Sequence, residues 1–295
     1  MWYVIALLSA IVFGFAGLFM KISQAKGGRH DELLLGLYTT GTVGFLINAL
    51  AEGNIVFDDW RIWAAGLIVG IGSAWGNAVF MKALDYGPAS LTSPLTNTNI
   101  VLIIAMSMLW YGETLSGSEW LGIACLLTAV VLISLRPGEA LTIREKRWFV
   151  FILLAILLFT FRNGGLKVTQ ELNMPNTTIL FIAYFFSLVW FAGKIMTRSY
   201  GSNSSAESAS SDSNLRRDAG KIGFLWGLAA GVCSYAGMQL YSVALVDGQA
   251  NIVAPIFATN SLVLVFGAIL LYRERLTLKQ TAALSLLVLG LVLVR

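Results

Sequence analysis

Gly87–Leu115 reads GPASLTSPLTNTNIVLIIAMSMLWYGETL, and a second copy of it, GQANIVAPIFATNSLVLVFGAILLYRERL, occupies Gly248–Leu276. At a constant shift of 161 positions, Gly87, Ala89, Pro94, Thr98, Asn99, Tyr111, Glu113 and Leu115 fall on Gly248, Ala250, Pro255, Thr259, Asn260, Tyr272, Glu274 and Leu276 without a gap. Upstream, Gly66, Gly70, Ser73 and Gly76 meet Gly227, Gly231, Ser234 and Gly237 at the same shift. The first apolar run has a partner too: Lys21-Ile22-Ser23-Gln24 aligns with Lys167-Val168-Thr169-Gln170 at a shift of 146. Self-similarity of this extent marks a duplicated architecture.

Of the 295 residues, 57% are hydrophobic and 12% charged, against roughly one quarter charged in a soluble domain. Apolar runs of about twenty residues are long enough to cross a hydrocarbon core of roughly 30 Å as helices, which satisfy their own backbone hydrogen bonds. The composition therefore predicts an all-α integral membrane protein. The run from Trp2 lacks a basic leader and a small-residue cleavage site, so it reads as a retained helix. Cys125 and Cys233 sit inside apolar runs and read as small hydrophobes, with no metal or disulfide pattern. The net charge of +4 lies in loops and gives no reason to expect a nucleic acid as partner.

The pattern predicts ten helices, at Trp2–Ile22, Glu32–Leu50, Arg61–Leu84, Pro88–Trp110, Glu119–Leu135, Arg147–Val168, Thr177–Thr197, Lys221–Val246, Ala250–Tyr272 and Leu278–Val294. They divide into a first five-helix repeat over residues 1–135, a linker over 136–146 and a second repeat over 147–295. Within the second repeat, the Ser-rich segment 200–218 reads as a flexible loop, since it has almost nothing to bury. It also accounts for the growth of the repeat shift from 146 to 161. Five is odd, so the second repeat must enter the membrane in the opposite orientation, an inverted-topology repeat.

Loop charges agree with that arrangement. Lys26, Arg29, Arg136, Arg144, Lys146, Arg147, Arg198, Arg216, Arg217, Arg273, Arg275 and Lys279 fall in alternate connections on one face. The other has Arg61, Lys167 and Arg295 with a series of acids that includes Glu52, Asp58, Asp59, Glu113, Glu119, Glu171 and Asp247. Because Lys and Arg near helix ends prefer the cytoplasmic side, both termini are expected outside, in a plasma or bacterial inner membrane.

The Met20-Lys21-Ile22-Ser23 end of the first helix and the Ala83–Ala89 turn (ALDYGPA) resemble the drug/metabolite transporter superfamily, in its ten-helix EamA-like branch. The corners Tyr111-Gly112-Glu113-Thr114-Leu115 and Arg273-Glu274-Arg275-Leu276 carry the same resemblance. It implies a carrier of small metabolites or drugs built from two inverted five-helix halves around a central cavity. In the four-helix small multidrug resistance relatives, a glutamate eight residues before the first-helix lysine carries proton exchange. Here that position is Phe13, with Phe159 as its repeat partner. The departure argues against cation–proton antiport by that route and makes Phe13 a cavity-facing candidate.

Ionisable and amide groups in apolar helices are costly and mark a pathway or a helix contact. Arg162, followed by Asn163, either snorkels to the interface or presents its planar fork to a carboxylate or phosphate on the substrate. Trp75, Asn77, Tyr235 and Gln239 lie on the third and eighth helices, which line the cavity in the resembling family. Tyr235 and Gln239 share a face, while Trp75 and Asn77 cannot. Asn97 aligns with Ala258 and is a substrate candidate; Asn99 recurs as Asn260, which suggests a structural role for that pair. Pro94 and Pro255 are expected to kink their helices. Lys21 shares a membrane face with Glu274, and Lys167 with Glu113, so each lysine is positioned to pair across the halves as a gating latch. The competing expectation is that each glutamate caps the helix beginning after its own corner.

These readings converge on a secondary transporter, not an enzyme, that moves a small polar metabolite (amino acid-like, zwitterionic, anionic or neutral) by alternating access. Its expected partners are that small molecule and the lipid bilayer, as monomer or homodimer, with no metal and no cofactor. The alternatives are an exporter of cationic drugs or quaternary amines, and an intramembrane enzyme acting on lipid. The chain has a single His, His30, in a loop, and no mid-helix carboxylate to serve that chemistry.

Overall fold

Long apolar runs bounded by glycine, proline and charge become helices whose ends follow the local chemistry. The computed structural model describes residues 1–53, 58–86, 92, 95–134, 146–203, 210–263, 267 and 278–293. Its helices are α1 (Trp2–Ala25), α2 (His30–Glu52), α3 (Trp60–Tyr86), α4 (Asn99–Tyr111), α5 (Gly117–Ser134), α6 (Arg147–Glu171), α7 (Asn176–Asn203), α8 (Ser210–Asp247), α9 (Ala250–Ala258) and α10 (Leu278–Leu293). There is no strand among the described residues. Among the described residues, six helices, α1, α2, α3, α6 and the apolar parts of α7 and α8, are long and apolar enough to cross a membrane. The chain is therefore a multi-pass membrane protein.

Termini are set by ordinary caps. Asp31 and Glu32 occupy the first turn of α2, where negative charge meets the positive end of the helix dipole. Gly53 and Gly112 end α2 and α4 at φ of 66° and 65°, a left-handed conformation that a side chain would strain. At the start of α5, Ser116 N–H donates to Glu119 Oε2 at 2.6 Å and Glu119 N–H to Ser116 Oγ at 3.3 Å, a reciprocal capping box.

Two expectations change. The Ser-rich segment is helical at both ends, α7 running to Asn203 and α8 starting at Ser210, so 200–218 is not one long loop. An Asp218–Lys221 pair one turn apart lies on the solvated extension of α8. The continuous helices expected at 88–110 and 250–272 are instead interrupted at repeat-equivalent points. Thr98 N–H and Oγ1 bond Leu95 O at 3.1 and 2.6 Å; Thr259 N–H and Oγ1 bond Ile256 O at 3.1 and 2.7 Å. These three-residue closures tighten the backbone into a turn. In the second half the turn follows Pro255, which has no N–H to continue the ladder. Pro94, like the 136–145 part of the linker, lies outside the described residues.

Packing runs mainly between the halves. The principal helix pairs are α1 with α8, α2 with α8, α3 with α6, α3 with α7, α2 with α7, α5 with α10 and α4 with α9. Each joins an element before residue 135 to one after 146. Exchanging α1 for α6, α2 for α7, α3 for α8, α4 for α9 and α5 for α10 maps this set onto itself. Individual contacts follow the same exchange. Tyr38 OH lies 2.9 Å from Ser73 Oγ, and Tyr184 OH 2.7 Å from Ser234 Oγ. Gly76 backs onto the Phe159 ring, and Gly237 onto Phe13. Glycines at these crossings let backbones approach closely, which is how helices associate where apolar burial supplies no net drive.

Candidate functional site

The two interruptions meet at the centre. There, a cavity of about 80 Å³ is lined by Phe13, Asn77, Phe80, Asn97, Asn99, Phe159, Arg162, Asn163, Phe257 and Asn260, among others. None of the described residues lining it is acidic. Pockets for drug-sized ligands run to about 300–1,000 Å³, so this conformation accommodates only a small ligand or a few waters. Asn97 Nδ2 donates to Ala258 O at 3.1 Å, a bond between positions exactly one repeat shift apart that stitches the halves together beside the cavity.

Arg162 is the only cation among the described residues lining this space. It lies nine residues before the end of α6, deeper than the sequence suggested, because the helix continues to Glu171. Its side chain does not snorkel: the residue is 5% exposed. The guanidinium carbon sits 4.5 Å from the centroid of Phe159 and 5.3 Å from that of Phe13, so repeat-related rings from the two halves flank one charge. Contacts of this kind are worth up to about 2 kcal/mol when desolvated. Nε donates to Asn163 Oδ1 at 2.9 Å, which fixes the plane of the fork. No carboxylate pairs with Arg162 among the described residues. Phe13 thus holds the arginine, a role the sequence did not indicate. Asn77 donates from Nδ2 to Tyr38 OH at 2.9 Å and joins the Tyr38–Ser73 hydroxyl pair.

A second cluster lies further along α6, at the end bearing the acidic connections. Lys167 Nζ contacts Glu113 Oε1 at 2.7 Å and Glu171 Oε1 at 2.5 Å. The Glu113 carboxylate also accepts Ala250 N–H and Asn251 N–H, both at 3.1 Å. Glu113 does cap a helix, but it is α9 of the other half; α5, after its own corner, is capped by Ser116 and Glu119. The Lys167 and Glu113 side chains are 5% and 9% exposed, so the pair is buried. Removing one member of such a pair costs about 3–5 kcal/mol, well above the ceiling for an exposed bridge. Glu274, the expected partner of Lys21, lies outside the described residues.

A model of the EamA-like transporter family matches residues 1–135. The first half of the chain is EamA-like. An uncharacterized protein of Methanocaldococcus jannaschii is 26% identical over 132 residues, 45% of this chain and 95% of its own length. A probable 4-amino-4-deoxy-L-arabinose-phosphoundecaprenol flippase subunit ArnE of Yersinia pestis is 31% identical over 72 residues, 24% of this chain. That match spans 61% of the subunit's length. A crystal structure at 14% sequence identity superposes with a TM-score of 0.74 over 99% of this chain and 95% of its own, which shows a shared fold. The EamA-like half brings membrane transport as its function class.

Three candidates lie off the cavity. Trp75 is 43% exposed and packs edge-on against Trp190, because Asn77 two residues later takes the inward direction on α3. Tyr235 stands edge-on to Phe45 at 4.8 Å, and Gln239, one turn on, donates to Thr177 Oγ1 at 3.2 Å. Their shared face points at α2 and α7. Asn99 and Asn260, expected to be purely structural, both line the cavity.

Proposed function

We propose that this protein is a secondary transporter that carries a small polar metabolite, anionic or zwitterionic, by rocking two inverted five-helix halves about the central cavity. The observation that carries the reading is the buried guanidinium of Arg162, flanked by one phenylalanine from each half. A charge this deep is costly, and such residues mark substrate pathways. The inverted repeat is supported by the helix pairs and side-chain contacts that survive exchange of the halves. A Methanocaldococcus relative about as long as one half also supports it. The absence of a carboxylate among the described residues lining the cavity disfavours cationic drugs as cargo. The flippase likeness adds a lipid-linked phosphosugar to the classes worth testing. Flux of a labelled metabolite panel into proteoliposomes tests the proposal: accumulation of an anionic or zwitterionic member is expected, and uptake confined to quaternary amines overturns it.

Within this reading, Lys167 and Glu113 form the gate at the acidic end, which by the loop-charge rule faces outside. Breaking it must expose Asn251, a fully buried residue whose backbone Glu113 holds. In a background with Cys125→Ala and Cys233→Ala, Lys167→Met is expected to speed labelling of Asn251→Cys by an impermeant thiol reagent, about tenfold or more. Labelling unchanged by Lys167→Met would reduce the pair to a static cap. The reciprocal exchange Lys167→Glu with Glu113→Lys is expected not to restore flux, because an ammonium cannot accept the two amide hydrogens at the start of α9.

A further inference from the structure

The repeat relation makes asymmetry informative, and two asymmetries fall in the same cavity. Arg162 has Ala16 as its repeat counterpart, so the site carries one guanidinium where symmetry would give two or none. Asn99 and Asn260 are repeat partners with different bonding. Asn260 Nδ2 donates to Phe257 O at 2.7 Å, closing on its own backbone. Asn99 is 2% exposed, and its Nδ2 has no hydrogen-bond partner among the described residues. A buried amide donor left unpaired costs about 1–3 kcal/mol, and a donor kept in that condition beside a cavity has a ligand atom as its natural partner.

Resting on the reading of Arg162 as a substrate ligand, we propose that Asn99 is its second ligand and that together they define an oxyanion subsite. Arg162 presents its fork, and Asn99 its Nδ2, to one carboxylate or phosphate group. The Nδ2 groups of Asn77, Asn97 and Asn260 are committed to Tyr38, Ala258 and Phe257. They shape the cavity without adding donors to the anion. The oxyanion can belong to a free metabolite or to the phosphate of a lipid-linked one, since both present the same oxygens.

Binding of inorganic phosphate and of acetate to the full-length protein in phosphatidylcholine nanodiscs tests the assignment, with tetramethylammonium as the cationic control. At least one of the two anions is expected to bind at millimolar concentration and tetramethylammonium not at all. Asn99→Ala should weaken the anion about tenfold, as loss of one hydrogen bond to a charged group does. Asn99→Asp, which puts a carboxylate where the donor stood, should abolish binding while leaving the protein folded by its thermal midpoint. If Arg162→Met abolishes binding but Asn99→Ala and Asn99→Asp leave it unchanged, the Asn99 subsite is wrong and the Arg162 reading stands. If Arg162→Met leaves binding intact, or neither anion binds, the subsite is overturned. Nanodiscs containing phosphatidylglycerol separate the sources: competition with free phosphate points to a lipid headgroup, and its absence to a soluble anion.

Discussion

Arg162→Met is expected to abolish transport while leaving the thermal midpoint unchanged or raised. The two effects have opposite sign because the arginine is costly where it sits. Placing arginine at the centre of a membrane helix costs about 2.5–3.5 kcal/mol on insertion scales. Here the returns are two ring contacts and one charged hydrogen bond, with no carboxylate among the described residues. Methionine keeps most of the volume, remains compatible with the Phe13 and Phe159 faces, and removes the buried charge; replacing buried ionic groups with packed apolar ones is often neutral or stabilising. Arg162→Lys should impair flux nearly as much, by about a hundredfold, because an ammonium can neither stack flat between the rings nor donate in two directions from one plane. Flux in proteoliposomes and a thermal melt on the same preparations check this. Normal flux in Arg162→Met would remove arginine from the substrate path.

How much of this was legible in the sequence depends on whether a feature is local. The duplication is a pattern along the chain, and from it followed the possibility of Lys167 reaching Glu113. The inward direction of a helix was not legible. Tyr235 and Gln239 do share a face, yet α8 is apolar enough all round that nothing in its sequence says which face meets the cavity. For the same reason Trp75 and Asn77 were known to diverge without its being known which turned in. Most other partners distant in sequence were hidden. Glu113 caps a helix 137 residues away, and Phe13 acquires its role only because α1 lies against α8 and brings the ring to α6. Recurrence of Asn99 as Asn260 suggested one structural role for both, and the sequence held no sign that the two amides bond differently.

Gly76→Ala and Gly237→Ala, substitutions at equivalent positions of the two halves, are expected to fail in different ways. A methyl on Gly237 would lie 2.7 Å from Phe13 Cβ and 2.9 Å from its Cα and N, so relief requires α1 to move off α8. A methyl on Gly76 would lie 2.8 Å from Cδ1 and Cε1 of the Phe159 ring, and a ring edge can tilt away. Alanine gains about 0.5–1 kcal/mol over glycine in a helix, while overpacking a rigid contact costs about 1–3 kcal/mol or more. For Gly237→Ala the clash is with backbone, so the penalty prevails, and the thermal midpoint should fall sharply with little folded protein left in the membrane. For Gly76→Ala the ring yields and the stability change should be small. The tilted ring is the one stacked on Arg162 at 4.5 Å. Gly76→Ala should therefore cut flux severalfold in a protein that remains folded, as loss of one desolvated ring contact of up to about 2 kcal/mol would do. Equal losses of stability in the two variants would mean that the α1–α8 and α3–α6 crossings are governed by something other than these contacts, and normal flux in Gly76→Ala would separate Phe159 from the function of Arg162.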